Sequence, residues 1–484
     1  MKRQNLLQSV FFASLCSMIF YSCEREISPH EERSATQNAS SPATLGQDIK
    51  ASGKFILLAT SSSSLPGGIE ASVTAAGGTI VRKLDAIGLA IVKSAAPDFI
   101  TKASAIAGVR SVIHGLKMNW LPPGELNVIS EAGPGLTPSD PLYPVQWNML
   151  AIHANEAWGK GYKGHGALVA ILDEGFYPAH PDIAANVDLG LSTNFVEGET
   201  LDKQDGSFSH GTHVAGIVAA AINDIGTVGV APEARLMLVK VLSDAGSGSF
   251  EDVISGIYWA ANHGADVINM SLGGYVPHHE LLRLPDGTVL NFAREYQELL
   301  VAMNRSTSYA HQKGTVVVAA AGNNGLDLQK IGDYDHYPAG STNVISVSAT
   351  SPKGWAKDMG TNLDVPTSYT NYGTSSIAFA APGGDAYPDE ITGTCTVGPL
   401  TRNCWVFDLV RSPASPTGYF FAAGTSMASP HVAGVAALIV GKHPDYSPSQ
   451  VEAILRSSAD DLGKPGRDDY FGLGRVNASK AVDQ

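Results

Sequence analysis

Hydrophobic and polar positions repeat in two different rhythms along this chain, and the change of rhythm divides it. Over residues 53–117 the apolar runs are short and alternate with brief helical stretches. "KFILLAT" reads as a strand, and Pro66 to Gly77 as a helix opened by proline and closed by Gly-Gly. "TIVRKL" and "GLAIVK" give two more strands, Pro97 to Ala107 a second helix, and "VRSVIHGL" a fourth strand. That order, β-α-β-β-α-β, is the ferredoxin-like or split βαβ pattern of a small separate unit. Asn119 to Pro138, rich in Pro and Gly, then reads as an exposed linker within residues 118–140.

From 141 to 484 the apolar runs become continuous rather than alternating. "ALVAILD", "ARLMLVKVL", "ADVINMSLGG", "GTVVVAAAGN" and "NVISVSAT" read as strands, with helices at His210 to Ala221, Phe250 to His263 and Phe292 to Gln312. Val/Ile/Ala strands separated by helices predict an α/β class: a doubly wound, mostly parallel sheet with helices on both faces. Reactive groups in such sheets collect at the carboxyl ends of the strands. Asp173, Ser271 and Asn323 fall at predicted strand ends.

The first residues follow neither rhythm. Lys2 and Arg3 precede an apolar stretch, Leu6 to Tyr21, and then Ser22-Cys23, so residues 1–23 read as an export signal. A cysteine after a small residue resembles the lipobox of bacterial lipoproteins, with Cys23 lipidated, although Phe20 and Tyr21 are bulkier than usual there. An ordinary cleaved signal is the alternative. No later segment reaches the ~18 apolar residues of a membrane span, so an anchor to the bacterial envelope would be a lipid. Residues 24–52 are polar and aperiodic, a flexible tether. Export permits disulfides, and Cys395 and Cys404 are predicted to close a loop. Two free thiols or half a metal site are the alternatives. With 44% hydrophobic and 16% charged residues the chain is a packed globule, and a formal charge of −14 with no basic patch excludes nucleic acid as a partner.

Four short motifs carry candidate chemistry. Asp173 ends a buried run in "ILDEGF", and His210 opens "HGTHVAGIVAA". Asn323 sits in "AAAGNNG", where its amide can donate to an oxyanion, and Ser426 sits in "GTSMASPH" ahead of a helical run. A serine at a helix start is ordinarily a cap, but a cap does not call for the other three motifs.

In this order, Asp, His, Asn, Ser, the motifs resemble the subtilisin-like serine peptidases over residues from about 140 to 484. The resemblance implies a secreted endopeptidase acting on proteins or peptides through an acyl-enzyme, with no organic cofactor. Asp173 would orient His210, His210 would be the general base and Ser426 the nucleophile. Asn323 and the Ser426 N–H would hold the oxyanion. Ser271, Leu272 and Gly273 resemble the edge that pairs with the substrate main chain, and Ala320 and Gly322 flank the S1 pocket. His336 aligns where relatives carry a small residue at the floor of S1, implying a shorter, more polar pocket; a solvent-facing loop histidine is the alternative. His180, His213 and His431 are expected to be packed or hydrogen-bonded, and Asn324 to be a bystander. Gly424 and Ala428 leave room for substrate, and Pro430 is expected in the first helical turn.

The chain also departs from the family. Glu174 follows Asp173 where Ser or Thr is usual, and strand alternation would turn it away from Asp173. The loop "AINDIGTVGVAP" resembles a calcium-binding segment one residue shortened. Asn223 and Asp224 are candidate ligands there, or simply turn formers, and no metal set is assigned. The unit at 53–117 resembles this family's propeptide, an intramolecular inhibitor removed by a cut between Leu116 and Tyr143. Tyr275 to Ser308 and Asp385 to Tyr419 have no counterpart in the pattern and are expected to rim the cleft. A catalytically silent peptide-binding protein and a narrow processing enzyme are the competing functions.

Overall fold

The structure, a computed structural model, describes residues 49–121, 126–131, 140–279, 281–283 and 289–484. The leader with Cys23 and most of the tether lie outside the described residues.

The first described elements are β1 (Lys50–Ala59), α1 (Ile69–Ala75), β2 (Gly78–Leu84), β3 (Leu89–Ser94), α2 (Phe99–Ser104) and β4 (Val109–Asn119). Their strands lie side by side in the order β2-β3-β1-β4, antiparallel throughout. Alternation splits the side chains between two layers. Leu57, Val92 and Val112 face α1 and α2, around Phe99. Ile56, Leu58, Ile91 and Ile113 face the other way and join the core beneath. β1 starts three residues inside the predicted tether. A bulge between Ala51 and Phe55, with Gly53 at φ +82°, hides that continuation from a periodicity reading.

The segment read as an exposed linker is partly sheet. β4 runs on to Asn119, Trp120 is fully buried, and β5 (Leu126–Glu131) pairs with a strand near the chain's end. Strand pairing to distant residues leaves no local signal in such a segment.

The rest of the chain runs α3 (Trp147–Ala151), α4 (Ala154–Gly159), β6 (Leu168–Asp173), β7 (Thr193–Asn194), α5 (His210–Ala219), β8 (Arg235–Lys240), β9 (Ser247–Ser249) and α6 (Phe250–Asn262). Next come β10 (Val267–Met270), β11 (Gly274–Pro277), β12 (Leu281–Arg283), β13 (Val289–Asn291), α7 (Phe292–Gln312), β14 (Val316–Ala320), β15 (Tyr334–Tyr337), β16 (Val344–Ser351), β17 (Val365–Pro366) and β18 (Phe379–Pro382). The chain closes with β19 (Thr394–Val397), β20 (Leu400–Asn403), β21 (Val410–Pro413), β22 (Tyr419–Ala423), α8 (Thr425–Lys442), α9 (Pro448–Ser458) and α10 (Ala478–Ala481).

The central sheet has the order β17-β16-β14-β10-β6-β8-β7, with β18 also on β16, and only the β16–β17 pair is antiparallel. Its strands are buried on both faces. Val169 and Ile171 of β6 pack with α5 and α8, while Leu168, Ala170 and Leu172 pack with α6 and α7. Continuous apolar strands are the consequence of that double cover.

Caps start the helices where the site needs them. Ser209 Oγ accepts from Thr212 N–H to start α5, and Ser249 Oγ accepts from Asp252 N–H to start α6. Strands form within both unmatched stretches among the described residues. β11 pairs with β15, and β19 with β20 in a hairpin next to the Cys395–Cys404 disulfide.

Candidate active site

β6 delivers Asp173 at the carboxyl end of a central strand, fully buried. Its Oδ1 accepts from Glu174 N–H and lies 2.8 Å from His210 Nδ1. His210 is the first residue of α5, a wholly buried helix that packs on α8. Gly211 is needed beside it, because a Cβ there would meet the Phe176 ring at 2.7 Å.

Ser426 is the second residue of α8, 1% exposed, its Oγ donating to Ser271 O at 3.2 Å. First-turn N–H groups of a helix have no intrahelical acceptor, and the Ser426 amide is one of them. Pro430 lies beyond the first turn, contrary to expectation. A proline there withholds the N–H that the Ser426 carbonyl would accept. Ser271 Oγ supplies the missing donor to Ser426 O at 2.7 Å, while itself accepting from Asn269 Nδ2 at 2.9 Å.

Asn323 is held by a residue the motif reading missed. Its Oδ1 accepts from Thr425 N–H at 2.9 Å and Thr425 Oγ1 at 2.7 Å. An N–H needs an acceptor, so the oxygen faces Thr425 and the Nδ2 donors are left for the opposite side. Asn324 is engaged elsewhere, with Tyr275 Oη at 3.1 Å.

On one flank, β9 pairs with β4, with Lys117 against Ser249 and Asn119 against Ser247. Trp120 follows. Its N–H donates to Gly246 O at 3.1 Å, its O accepts from Gly273 N–H at 3.0 Å, and its ring lies edge-on to Phe250 at 4.6 Å. Gly273 thus holds the residue that directly follows β4. On the other flank, β5 pairs with β22, which leads into Ser426.

His336 is buried, not solvent-facing. Its Nε2 would lie 2.7 Å from a Cβ at Gly273 and 3.0 Å from one at Gly322, so the ring sits between these two glycines. Ala320 is buried beside Gly322. Burial lowers His336 to about 4, leaving the imidazole neutral at pH 7. Its other side borders a cavity of about 360 Å³ that Arg467 and Ser341 also line. The remaining histidines are structural in position. His431 bonds Met427 O and Asn148, His213 bonds Phe420 O, and His180 Nδ1 accepts from Asp182 N–H. Burial lowers them to about 4, 3 and 4 respectively.

Glu174 does not turn away. β6 ends at Asp173, so strand alternation lapses, and Glu174 Oε1 accepts from His210 N–H at 2.8 Å and from Lys203 Nζ at 2.9 Å. Burial pushes its carboxyl up to about 7, against the opposing pull of the Lys203 ammonium.

In the shortened loop, Asn223 Oδ1 accepts from Ile225 N–H, and Asp140 Oδ1 accepts from Asn223 N–H. Asp182 Oδ2 accepts from Thr227 N–H, while its Oδ1 is buried without a partner. Burial raises Asp182 to about 7 and Asp140 above its usual range. Among the described residues no cluster of three or more His, Cys, Asp or Glu side chains forms. An open oxygen on one buried carboxylate near a second is nevertheless a setting that suits a cation.

A buried Asp–His pair at the carboxyl end of a parallel sheet, its histidine on a helix packed against one with a serine in its first turn, is the arrangement of an α/β serine hydrolase. Comparison with known proteins narrows the class. Residues 164–474 match the subtilase family model. Subtilisin DY from Bacillus licheniformis is 36% identical over 338 residues, covering 70% of this chain and 98% of that protein. Thermitase from Thermoactinomyces vulgaris is 35% identical, covering 72% and 99%. Among solved structures, fervidolysin from Fervidobacterium pennivorans, a keratinolytic enzyme, aligns at TM-score 0.63 and 26% identity, over 91% of this chain and 62% of that one. The epidermin leader peptide processing protease of Staphylococcus aureus aligns at TM-score 0.68 over 90% and 98%, a likeness of fold at 23% identity. The chain belongs to the subtilase family and is a subtilisin-like serine peptidase. No helix among the described residues is long and apolar enough to cross a membrane.

Proposed function

We propose that this peptidase cleaves peptide bonds with Ser426 as nucleophile, His210 as general base and Asp173 as the group that orients it. The observation that carries the reading is the buried Asp173–His210 pair at 2.8 Å, its histidine on a helix that packs against α8. His210 Nε2 takes the Ser426 Oγ proton as Oγ attacks the carbonyl carbon. The oxyanion accepts from Asn323 Nδ2 and the Ser426 N–H. His210 then protonates the leaving amine, and water releases the acyl group by the reverse sequence. His336, neutral and wedged between Gly273 and Gly322, shortens the S1 pocket.

The same reading makes residues 53–117 a propeptide and the chain a self-processed zymogen. Support comes from the pairing of β4 with β9 on the acyl side and of β5 with β22 on the leaving side. The cut accordingly falls between Leu121 and Leu126. Export, with a lipid anchor at Cys23, follows from the leader sequence alone. A structural Ca2+ would be held by Asp182 and Asp140 with Asn223, stiffening the loop without entering the chemistry; a fall in melting temperature on EDTA tests it.

The deciding experiment compares the chain lacking residues 1–23 with its Ser426→Ala variant. Wild type should take up a fluorophosphonate label and lose about 10 kDa, the size of a small domain, with a new N-terminus between residues 122 and 126. Ser426→Ala should do neither. A folded wild-type chain that stays whole and unlabelled would overturn the reading.

A further inference from the structure

Gly175 sits inside a ring of charge that no part of the hydrolytic scheme uses. A Cβ at this glycine would meet Asp244 Oδ1 at 2.2 Å, Lys240 Nζ at 3.0 Å and Lys203 Cβ at 3.1 Å. Glu174 and Lys203 form its inner arc, each side chain 5% exposed and 2.9 Å apart. Lys203 Nζ also donates to Asp244 O at 3.1 Å. Lys240, fully buried, pairs with Asp244 and with Glu199 at 2.8 Å. Glu199 Oε2 accepts from Asp244 N–H at 3.0 Å and so closes the ring.

Two members of this ring reach the active site. Glu174 Oε1 accepts the N–H of His210 itself, one of the α5 donors that lacks an intrahelical acceptor. Asp244 stands two residues before Gly246, whose carbonyl takes the Trp120 N–H, and leads into β9. The ring therefore spans the backbone of the histidine and the strand on which a peptide lies. Ionised or protonated, Glu174 keeps a lone pair on Oε1 for the His210 N–H, so the anchor does not depend on its charge.

We propose that Glu174 and Lys203 are positioning residues for hydrolysis. The carboxyl group fixes the first turn of α5, and with it the His210 ring against Asp173. The ammonium ties that anchor to the loop feeding β9. The claim rests on the peptidase reading but concerns geometry, so it can be measured apart from turnover. An ion pair this buried is poor evidence of stabilisation, since its desolvation offsets its attraction. Its direct bond to the histidine backbone points to orientation instead.

The test uses the full chain with Glu174→Ala, Glu174→Gln, Lys203→Met and the Glu174→Gln/Lys203→Met pair. Glu174→Ala should lower kcat about 10- to 100-fold, the loss typical of a slight misplacement, with KM within about threefold of wild type. Glu174→Gln keeps an oxygen at the same place and should recover most of kcat. Lys203→Met strands a buried carboxylate and should unfold more readily than the paired variant. The far-downfield proton resonance of His210 Nδ1 gives the readout independent of turnover: it should broaden or move in Glu174→Ala and persist in Glu174→Gln. An unchanged resonance and unchanged kcat in Glu174→Ala would overturn the proposal, as would a Glu174→Gln variant no better than Glu174→Ala. If Glu174→Ala does not fold, two other variants decide: the resonance should persist in Glu174→Gln and broaden or move in Glu174→Gln/Lys203→Met, and its loss in the first or its unchanged persistence in the second counts against the proposal. A wild-type chain that shows the resonance but takes no fluorophosphonate label would count against the peptidase reading alone.

Discussion

The hydroxyl of Ser271 donates to the carbonyl of Ser426 at 2.7 Å, occupying the acceptor that Pro430 deprives of its helical partner. A residue directly after β10 thereby completes the helix that bears Ser426. Ser271→Ala leaves that buried oxygen without its donor, a cost of about 1–3 kcal/mol. The variant should melt several degrees lower in calorimetry and lose kcat together with stability. Wild-type kcat and melting temperature would show that α8 does not need the bond.

Thr425 decides which way the Asn323 amide points. Thr425→Val removes the Oγ1 donor but keeps the backbone one, so kcat should fall about tenfold at unchanged KM, roughly the 1.4 kcal/mol of one hydrogen bond. If Asn323 is an oxyanion donor, Asn323→Leu should cost about 10²–10³ in kcat, the usual loss on removing one such donor. Steady-state kinetics on one peptide substrate separate the two cases. Equal losses in both variants would mean that the hydroxyl contributes as much as the donor it supports.

Profiling a peptide library tests His336. Its ring fills space between Gly273 and Gly322, so His336→Gly should extend cleavage to larger P1 side chains and leave small P1 residues nearly unaffected. An identical P1 profile would remove the histidine from the pocket.

Glu251 should make the contact between the leading unit and the peptidase body pH-dependent. It is fully buried under β1 and β4, accepts from Ser52 Oγ, and a Cβ at Gly115 would strike its Oε1. Burial raises its carboxyl from 4.5 to about 7, helped by Asp252 and opposed by Lys54. If the cut propeptide leaves, Glu251 regains water and its ordinary value, so the bound state holds the extra proton. Binding is strongest below about 4.5 and weakens as pH rises through 7. Release of the cut propeptide, followed by gel filtration, should accelerate as pH rises from about 4.5 to about 7 and level off above it, and Glu251→Gln should flatten that dependence. A wild-type release rate indifferent to pH would refute the assignment.

Much of this was legible in the residues because each signal was local. The central strands read as Val/Ile/Ala runs since helices cover both faces, and the run after His210 reads as a helix between two of them. Asp173, His210, Asn323 and Ser426 stood in short motifs. What stayed hidden depends on distance. Lys203 lies 29 residues after Glu174 in the polar stretch "LDKQDG", and nothing nearby marks it as buried. Thr425 reads as an ordinary helix start until Asn323 is brought to it. β5 is invisible without β22, and Glu174 was misjudged because the strand ends one residue before it.

The shortness of β9 has its own consequence. Only three residues long, it is the outermost strand of a five-stranded sheet whose other members come from the leading unit. Without that unit it is an exposed edge too brief to template association between molecules. The same brevity limits a visiting peptide to a few main-chain bonds, each worth about 1 kcal/mol net. Such a ladder holds weakly enough for products to depart quickly, and leaves the choice of sequence to the side chains.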